Sequence, residues 1–217
     1  MIELIVKALL AYLIGSLVGS LLIGKLRGVD IRTMGSGNAG ATNMLRTQGK
    51  VAAIAVLLID LGKGWVATGV LAPLALPGIP PAELEMRALI LMVCGLAVIV
   101  GHVYPLWYGF RGGKGVATFL GAVLGINAAL VLVMVLTWLV VVVLIGFVGL
   151  ASMVAAGAVA VAIAARYSSE RLPLLVFGIL AALLILYTHR ANIGRMLAGT
   201  ESRAKRLWLF GLKRGQS

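Results

Sequence analysis

Three short segments of the 217-residue chain collect the residue types that bind oxyanions. The first, 34–46, reads Met34-Gly-Ser-Gly-Asn-Ala-Gly-Ala-Thr-Asn43 and ends at Arg46. Its glycines let backbone amides approach an anion, while Ser36, Asn38, Thr42 and Asn43 add short polar groups without apolar bulk. The second, 101–118, runs from Gly101-His102 through Tyr104, Trp107, Tyr108 and Phe110 to Arg111-Gly112-Gly113-Lys114-Gly115, where an apolar helix begins. Backbone amides at a helix start, with Lys114 and Arg111 beside them, form a natural anion site. The third, 189–201, starts at His189 and carries Asn192, Arg195, Gly199 and Glu201. On a continued helix Asn192, Arg195 and Gly199 share one face, at spacings of three and four. Phosphate or polar-headgroup binding is the chemistry these segments suit.

Other readings of the same residues fail on context. Gly35-x-Gly37-x-x-Gly40 with Asp60 further on imitates a dinucleotide fingerprint, but that fold needs strand, helix and strand, and this stretch lies between two apolar runs. The second segment is not a P-loop, because Tyr108 stands where its first glycine belongs and Gly115 where its Ser/Thr belongs. Two aspartates and five glutamates in the chain argue against a carboxylate-built metal pair, and one cysteine with two histidines is too few for a zinc site. No metal and no cofactor is therefore expected.

The elements that position these segments are membrane helices. With 61% hydrophobic and only 12% charged residues, the apolar runs cross a hydrocarbon core of about 30 Å. The fold class is an all-α integral membrane protein of about seven transmembrane helices over 2–23, 51–76, 87–101, 116–131, 132–149, 151–166 and 172–188. The stretch 115–150 reads either as one tilted helix or as two that turn near Gly125-Ile126-Asn127. Charge placement favours two: 24–50, 102–115 and the tail from 189 together carry the whole net charge of +12, and two helices put all three on the cytoplasmic side. The Glu83/Glu85/Arg87 and Arg166/Glu170/Arg171 loops then lie outside, with the N-terminus out and the C-terminus in. Met1-Ile-Glu-Leu opens with an acid rather than a basic leader, so the first apolar run reads as a retained helix. A single polytopic domain, 1–217, is expected, with membrane lipid as a partner. Nucleic acid is not, since the basic segments are short, flank spans and lack a reader module.

Asp60 and Lys63 stand inside the second apolar run, where each costs about 2.5–3.5 kcal/mol near a span centre. Spaced i, i+3, they are expected to face protein or water and to pair. Cys94 is read as packing.

In combination these segments resemble the acyl-phosphate:glycerol-3-phosphate acyltransferases, the PlsY family of bacterial membrane enzymes. The resemblance rests on Gly-Ser-Gly-Asn-x-Gly-Ala-Thr-Asn at 35–43, on Gly-His-x-Tyr-Pro and Gly-Gly-Lys-Gly-Val-Ala-Thr within 101–118, and on Asn-Ile-x-Arg-x-x-x-Gly-x-Glu at 192–201. Arg111, where lysine is common in the family, and Ala191 are small departures. The resemblance implies transfer of a fatty acyl group from acyl phosphate to the sn-1 hydroxyl of glycerol 3-phosphate, giving lysophosphatidic acid and phosphate, the first acylation of phospholipid synthesis. It implies neither acyl-CoA nor acyl carrier protein as direct donor. Neither histidine is followed by the aspartate of the His-x-x-x-x-Asp acyltransferases.

On that reading the site holds two anions at the cytoplasmic face of a bacterial inner membrane. Lys114 with the Gly112, Gly113 and Gly115 backbone, and Thr42 and Asn43, would bind acyl phosphate. Ser36, Arg46, Asn192 and Arg195 would hold glycerol 3-phosphate. His102 is the side-chain candidate for proton acceptance, a substrate phosphate being the other. Asn38, Asp60, Lys63 and Glu201 would support these groups, Glu201 by orienting a basic neighbour. Cys94 lies in the wrong segment for a nucleophile and Ser36 has no evident Asp-oriented histidine partner, so direct transfer without an acyl-enzyme is expected. An enzyme that makes acyl phosphate is a possible partner. The alternatives are a small anion transporter, which needs polar groups across the whole membrane, or another membrane phospholipid transferase, which needs acidic metal ligands.

Overall fold

The computed structural model describes residues 1–166, 172–205 and 207–209. Among the described residues all regular elements are helical, and the chain forms two compact units, Met1–Ala128 and Ala129–Ser217.

In the first unit the single helix expected over 2–23 is replaced by α1 (Ile2–Gly15) and α2 (Gly19–Leu26), which bend by 43°. A break inside a span strands peptide groups where lipid offers no partner. Side chains from the next span supply the partners here. The Lys63 ammonium donates to the carbonyls of Gly15 at 2.8 Å and Leu17 at 3.0 Å, and an Asp60 oxygen accepts from the Gly19 amide at 3.1 Å. Cation and anion thus sit on the negative end of one helix and the positive end of the next.

The short α3 (Ala41–Gln48) precedes α4 (Lys50–Trp65), which continues into a wider π turn, Val66–Leu71. Then come α5 (Arg87–Val103) and α6 (Val116–Ile126). Glycines set the helix contacts, as expected where lipid gives no hydrophobic drive and close approach must replace it. A Cβ at Gly15 would strike the Val98 backbone across α1 and α5, and one at Gly121 would strike the Leu61 carbonyl across α4 and α6. At the start of the chain, a buried Glu3–Lys7 pair, 2.6 Å apart, ties α1 to the segment before α5. Lys7 donates to the Ala72 carbonyl at 2.7 Å, and Glu3 accepts from the Ala82 amide.

Helix α6 stops at Ile126, with Asn127 extended, so the turn falls at Gly125–Asn127 and earlier than the expected boundary of 131. In the second unit follow α7 (Ala128–Ile145), α8 (Val148–Arg166), α9 (Leu172–Thr188) and α10 (Arg190–Leu197). On α7, Leu132, Leu136 and Val140 form an exposed stripe at helical spacing, a face made for lipid. Helices α9 and α10 meet at 54°, so the continued helix expected through 189–199 does not form; Gly199, at φ 69°, lies beyond α10 and off the face of Asn192 and Arg195.

Among the described residues four helical stretches are long and apolar enough to cross a membrane: Lys50–Leu71, Leu84–Tyr108, Ala128–Ile145 and Val148–Arg166. The bent pairs α1–α2 and α9–α10 each pass the same test together, and α6 is a shorter apolar helix. The protein is a multi-pass membrane protein. Glu170 and Arg171, and the tail cations Arg206, Lys213 and Arg214, lie outside the described residues.

Candidate functional site

The first glycine-rich loop is folded around one side chain. Asn43 is 1% exposed. Its Oδ1 accepts from the Ser36 amide at 2.9 Å, and its Nδ2 donates to the carbonyls of Met34 at 2.9 Å and Ile31 at 3.1 Å. Expected as a phosphate ligand, Asn43 is instead engaged in closing the loop, because the turn leaves inward-pointing peptide groups that only a buried amide can satisfy. Gly35 and Gly37 have φ of 56° and 70°, and a Cβ at Gly35 would overlap the Asn43 amide. Beneath lie Ile31, Ala39 and Met44, packed with Val18, Leu21 and Val56. Ser36 remains exposed on the loop and Thr42 and Arg46 on α3, with Asn38 half-buried.

Arg32 joins this loop to the second. It pairs with Asp30 at 2.8 Å and donates to the Tyr108 carbonyl at 3.0 Å. The guanidinium holds the Asp30 carboxyl below the usual carboxylate range, and the carboxylate raises Arg32 in return.

In the second loop the amides of Gly112 and Gly113 donate to the carbonyls of Val103 at 3.0 Å and His102 at 3.2 Å. Expected to bind phosphate, these two amides close the end of α5 here. Their glycine character serves close approach. A Cβ at Gly112 would meet the His102 carbonyl, and one at Gly113 would meet the His102 ring and the Ala39 carbonyl of the first loop. The two loops therefore touch at Ala39 and Gly113. Gly115, at φ 84°, opens α6, whose first-turn amides have no intrahelical acceptor. Lys114, half-buried, immediately precedes that turn.

Asp60, Lys63 and His102 lie below the loops, only 1%, 6% and 3% exposed. Lys63 Nζ is 3.1 Å from Asp60 Oδ1, the pairing expected from their spacing, and 2.9 Å from His102 Nδ1.

The second unit holds the third segment. Glu201 places one oxygen 2.6 Å from Asn192 Nδ2 and the other 2.6 Å from Arg195 Nε. Asn192 is buried, with Gly149 against its side chain. The residues after Glu201 were not anticipated from the sequence. Arg203 lies over the rings of Phe147, at 4.8 Å, and Trp208, at 4.1 Å, while the Ala204 amide donates to the Gly146 carbonyl at 2.8 Å and Trp208 Nε1 to the Leu144 carbonyl at 3.3 Å. This clamp fastens the strand that carries Glu201. The available signal was a tryptophan five residues from an arginine in an otherwise basic tail.

Fold and loops together define a helical membrane protein with basic, glycine-rich turns. The family profile described as glycerol-3-phosphate acyltransferase matches residues 5–199. Among curated relatives, the glycerol-3-phosphate acyltransferase of Bordetella pertussis is 44% identical over 199 residues, covering 89% of this chain and 88% of its own. That of Geobacter sulfurreducens is 41% identical over 204 residues, covering 94% and 98%. Among solved structures, PlsY, an integral membrane glycerol 3-phosphate acyltransferase in its glycerol 3-phosphate form, is 35% identical with a TM-score of 0.82, over 92% of this chain and 94% of that one. Its lysophosphatidic acid form gives a TM-score of 0.80 at 34% identity, with the same coverage. The chain belongs to the glycerol-3-phosphate acyltransferase family.

Proposed function

We propose that this protein transfers a fatty acyl group from acyl phosphate to the sn-1 hydroxyl of glycerol 3-phosphate, directly, releasing lysophosphatidic acid and inorganic phosphate. The observation that carries the reading is the junction at Ala39 and Gly113, which brings two polar, glycine-rich loops together beside the buried Asp60–Lys63–His102 network. Family membership and the glycerol 3-phosphate and lysophosphatidic acid forms of PlsY support the acceptor and the product. Lys114 and the first turn of α6 bind the donor phosphate and stabilise charge on it as it leaves. Ser36 and Arg46 hold the acceptor, and the family resemblance adds Asn192 and Arg195, which Glu201 holds, as phosphate ligands. The hydroxyl oxygen attacks the acyl carbonyl, the carbon–oxygen bond to phosphate breaks, and the hydroxyl proton passes to a phosphate oxygen. Cys94 is fully buried within α5, and Nδ1 of His102 already faces Lys63, which supports transfer without an acyl-enzyme. The site faces the cytoplasm in the inner membrane, with the N-terminus outside and the C-terminus inside.

The test is phosphate release by the purified, lipid-embedded protein given palmitoyl phosphate and glycerol 3-phosphate, with palmitoyl-CoA in parallel and EDTA present. Acceptor-dependent release from acyl phosphate, with lysophosphatidic acid formed, is expected. Turnover of palmitoyl-CoA alone refutes the donor, and a hydroxylamine-sensitive acylated protein refutes direct transfer.

A further inference from the structure

Four groups surround Lys63 Nζ: the Gly15 carbonyl at 2.8 Å, His102 Nδ1 at 2.9 Å, the Leu17 carbonyl at 3.0 Å and Asp60 Oδ1 at 3.1 Å. An ammonium has three hydrogens. Two point to the carbonyls left open by the break between α1 and α2, and the third goes to the nearer of the other two groups, His102 Nδ1. A neutral amine could accept a hydrogen from Nδ1, but beside a neutral ring it would leave Asp60 as an uncompensated charge inside a span, the costlier arrangement. With Lys63 charged, two N–H groups cannot face each other at 2.9 Å, so Nδ1 is the lone-pair nitrogen. The distance from His102 Nδ1 to Asp60 Oδ1, 3.4 Å, is too long for a good N–H···O bond and agrees with this assignment.

The ring's hydrogen is then on Nε2, which faces Gly113 beside the Ala39 carbonyl. We infer that Asp60 and Lys63 are positioning residues that fix His102 in its Nε2–H form, so that His102 offers a hydrogen-bond donor to an oxyanion at the Ala39–Gly113 junction and does not accept a proton there. Asp60 keeps Lys63 charged, and Lys63 sets the tautomer. Only the identity of the oxyanion rests on the proposed acyl transfer.

Nitrogen-15 NMR of the full-length protein, labelled in its histidine rings and held in lipid nanodiscs, reads the tautomer directly. The chain has two histidines, and the signal lost in His102→Gln identifies His102. The expected pattern is a protonated Nε2 and an unprotonated Nδ1; a protonated Nδ1, or a doubly protonated ring, overturns the inference. The double variant Asp60→Asn/Lys63→Met removes both charges together, and the ring is expected to move to a mixture of tautomers. An unchanged Nε2–H signal in that variant overturns the role of Lys63. His102→Gln retains an N–H donor that His102→Ala lacks, so kcat is expected to fall at least tenfold further in the alanine variant while KM for glycerol 3-phosphate stays the same. Equal losses overturn the donor role. An Nε2–H ring in a protein that does not turn over acyl phosphate would refute the donor substrate and leave the tautomer assignment standing.

Discussion

Replacing Glu201 with alanine removes an acceptor shared by two side chains, and the size of the effect can be worked from their exposure. Each hydrogen bond to the carboxylate is 2.6 Å long. Bonds to a charged group contribute about 1.5–3 kcal/mol when shielded. The Arg195 side chain is 42% exposed, so solvent screening brings its share down to roughly 0.5–1 kcal/mol, while Asn192 at 7% keeps the larger figure. Side chains released from the carboxylate regain some freedom and some water, which offsets part of the total. The expected result is a drop of roughly 10–100-fold in kcat/KM for glycerol 3-phosphate, carried mostly by KM. Glu201→Gln keeps the shape and one acceptor but loses the charge, and should cost roughly 3–10-fold. The assay is phosphate release at saturating acyl phosphate with glycerol 3-phosphate varied. An unchanged KM in folded Glu201→Ala would refute the view that Glu201 holds acceptor ligands in place.

Three further perturbations test the frame around the loops. Gly121→Ala drives a methyl group into the Leu61 carbonyl and should lower stability by about 1–3 kcal/mol, whereas Gly62→Ala meets open space and should be neutral or stabilising by up to about 1 kcal/mol. Equal melting temperatures for the two would contradict glycine-set packing. Asp60→Asn leaves the Lys63 charge buried without its partner and should cost about 3–5 kcal/mol, more than the double variant with Lys63→Met. Thermal unfolding can be followed with a thiol-reactive dye, since Cys94 is the one cysteine and is fully buried. Trp208→Ala removes half of the aromatic clamp on Arg203, a contact of about 0.5–1 kcal/mol, and should raise KM for glycerol 3-phosphate by roughly 2–5-fold with kcat unchanged. A fall in kcat alone would separate the clamp from the acceptor site.

Sequence reasoning located the apolar helices, the turn at Gly125–Asn127, the pairing of Asp60 with Lys63 and the contact of Glu201 with a basic neighbour, because each follows from local spacing or from charge. The break between α1 and α2 was not readable in this way. Nothing within 2–23 forbids a helix there, and the groups that stabilise the bend come from Asp60 and Lys63, more than forty residues on. Asn43, Gly112 and Gly113 were read as ligands because their types suit phosphate. Whether a loop's amides and carboxamides point outward or close the loop depends on its path, and spacing does not carry that path. The clamp of Arg203 and Trp208 escaped notice for a similar reason, since its partners, Phe147 and Gly146, sit on a turn far away in the chain.

The ionic link between the first two spans also bears on biogenesis. The chain is made from its N-terminus, so α1 and α2 are in the bilayer before residues 50–71 emerge. Taken alone, that second segment carries two charges in its interior, Asp60 and Lys63, whose partition from translocon to lipid costs roughly 5–7 kcal/mol together. The open carbonyls at Gly15 and Leu17 and the Gly19 amide offset this cost only once the first span is in place. The first span is therefore expected to favour insertion of the second. A glycosylation-mapped insertion assay should find 50–71 integrating poorly by itself and well behind 1–26, and equal efficiency in both settings would rule this out. Substitutions at Asp60 or Lys63 should accordingly alter how much protein reaches the membrane in its correct topology, as well as what the assembled protein does there.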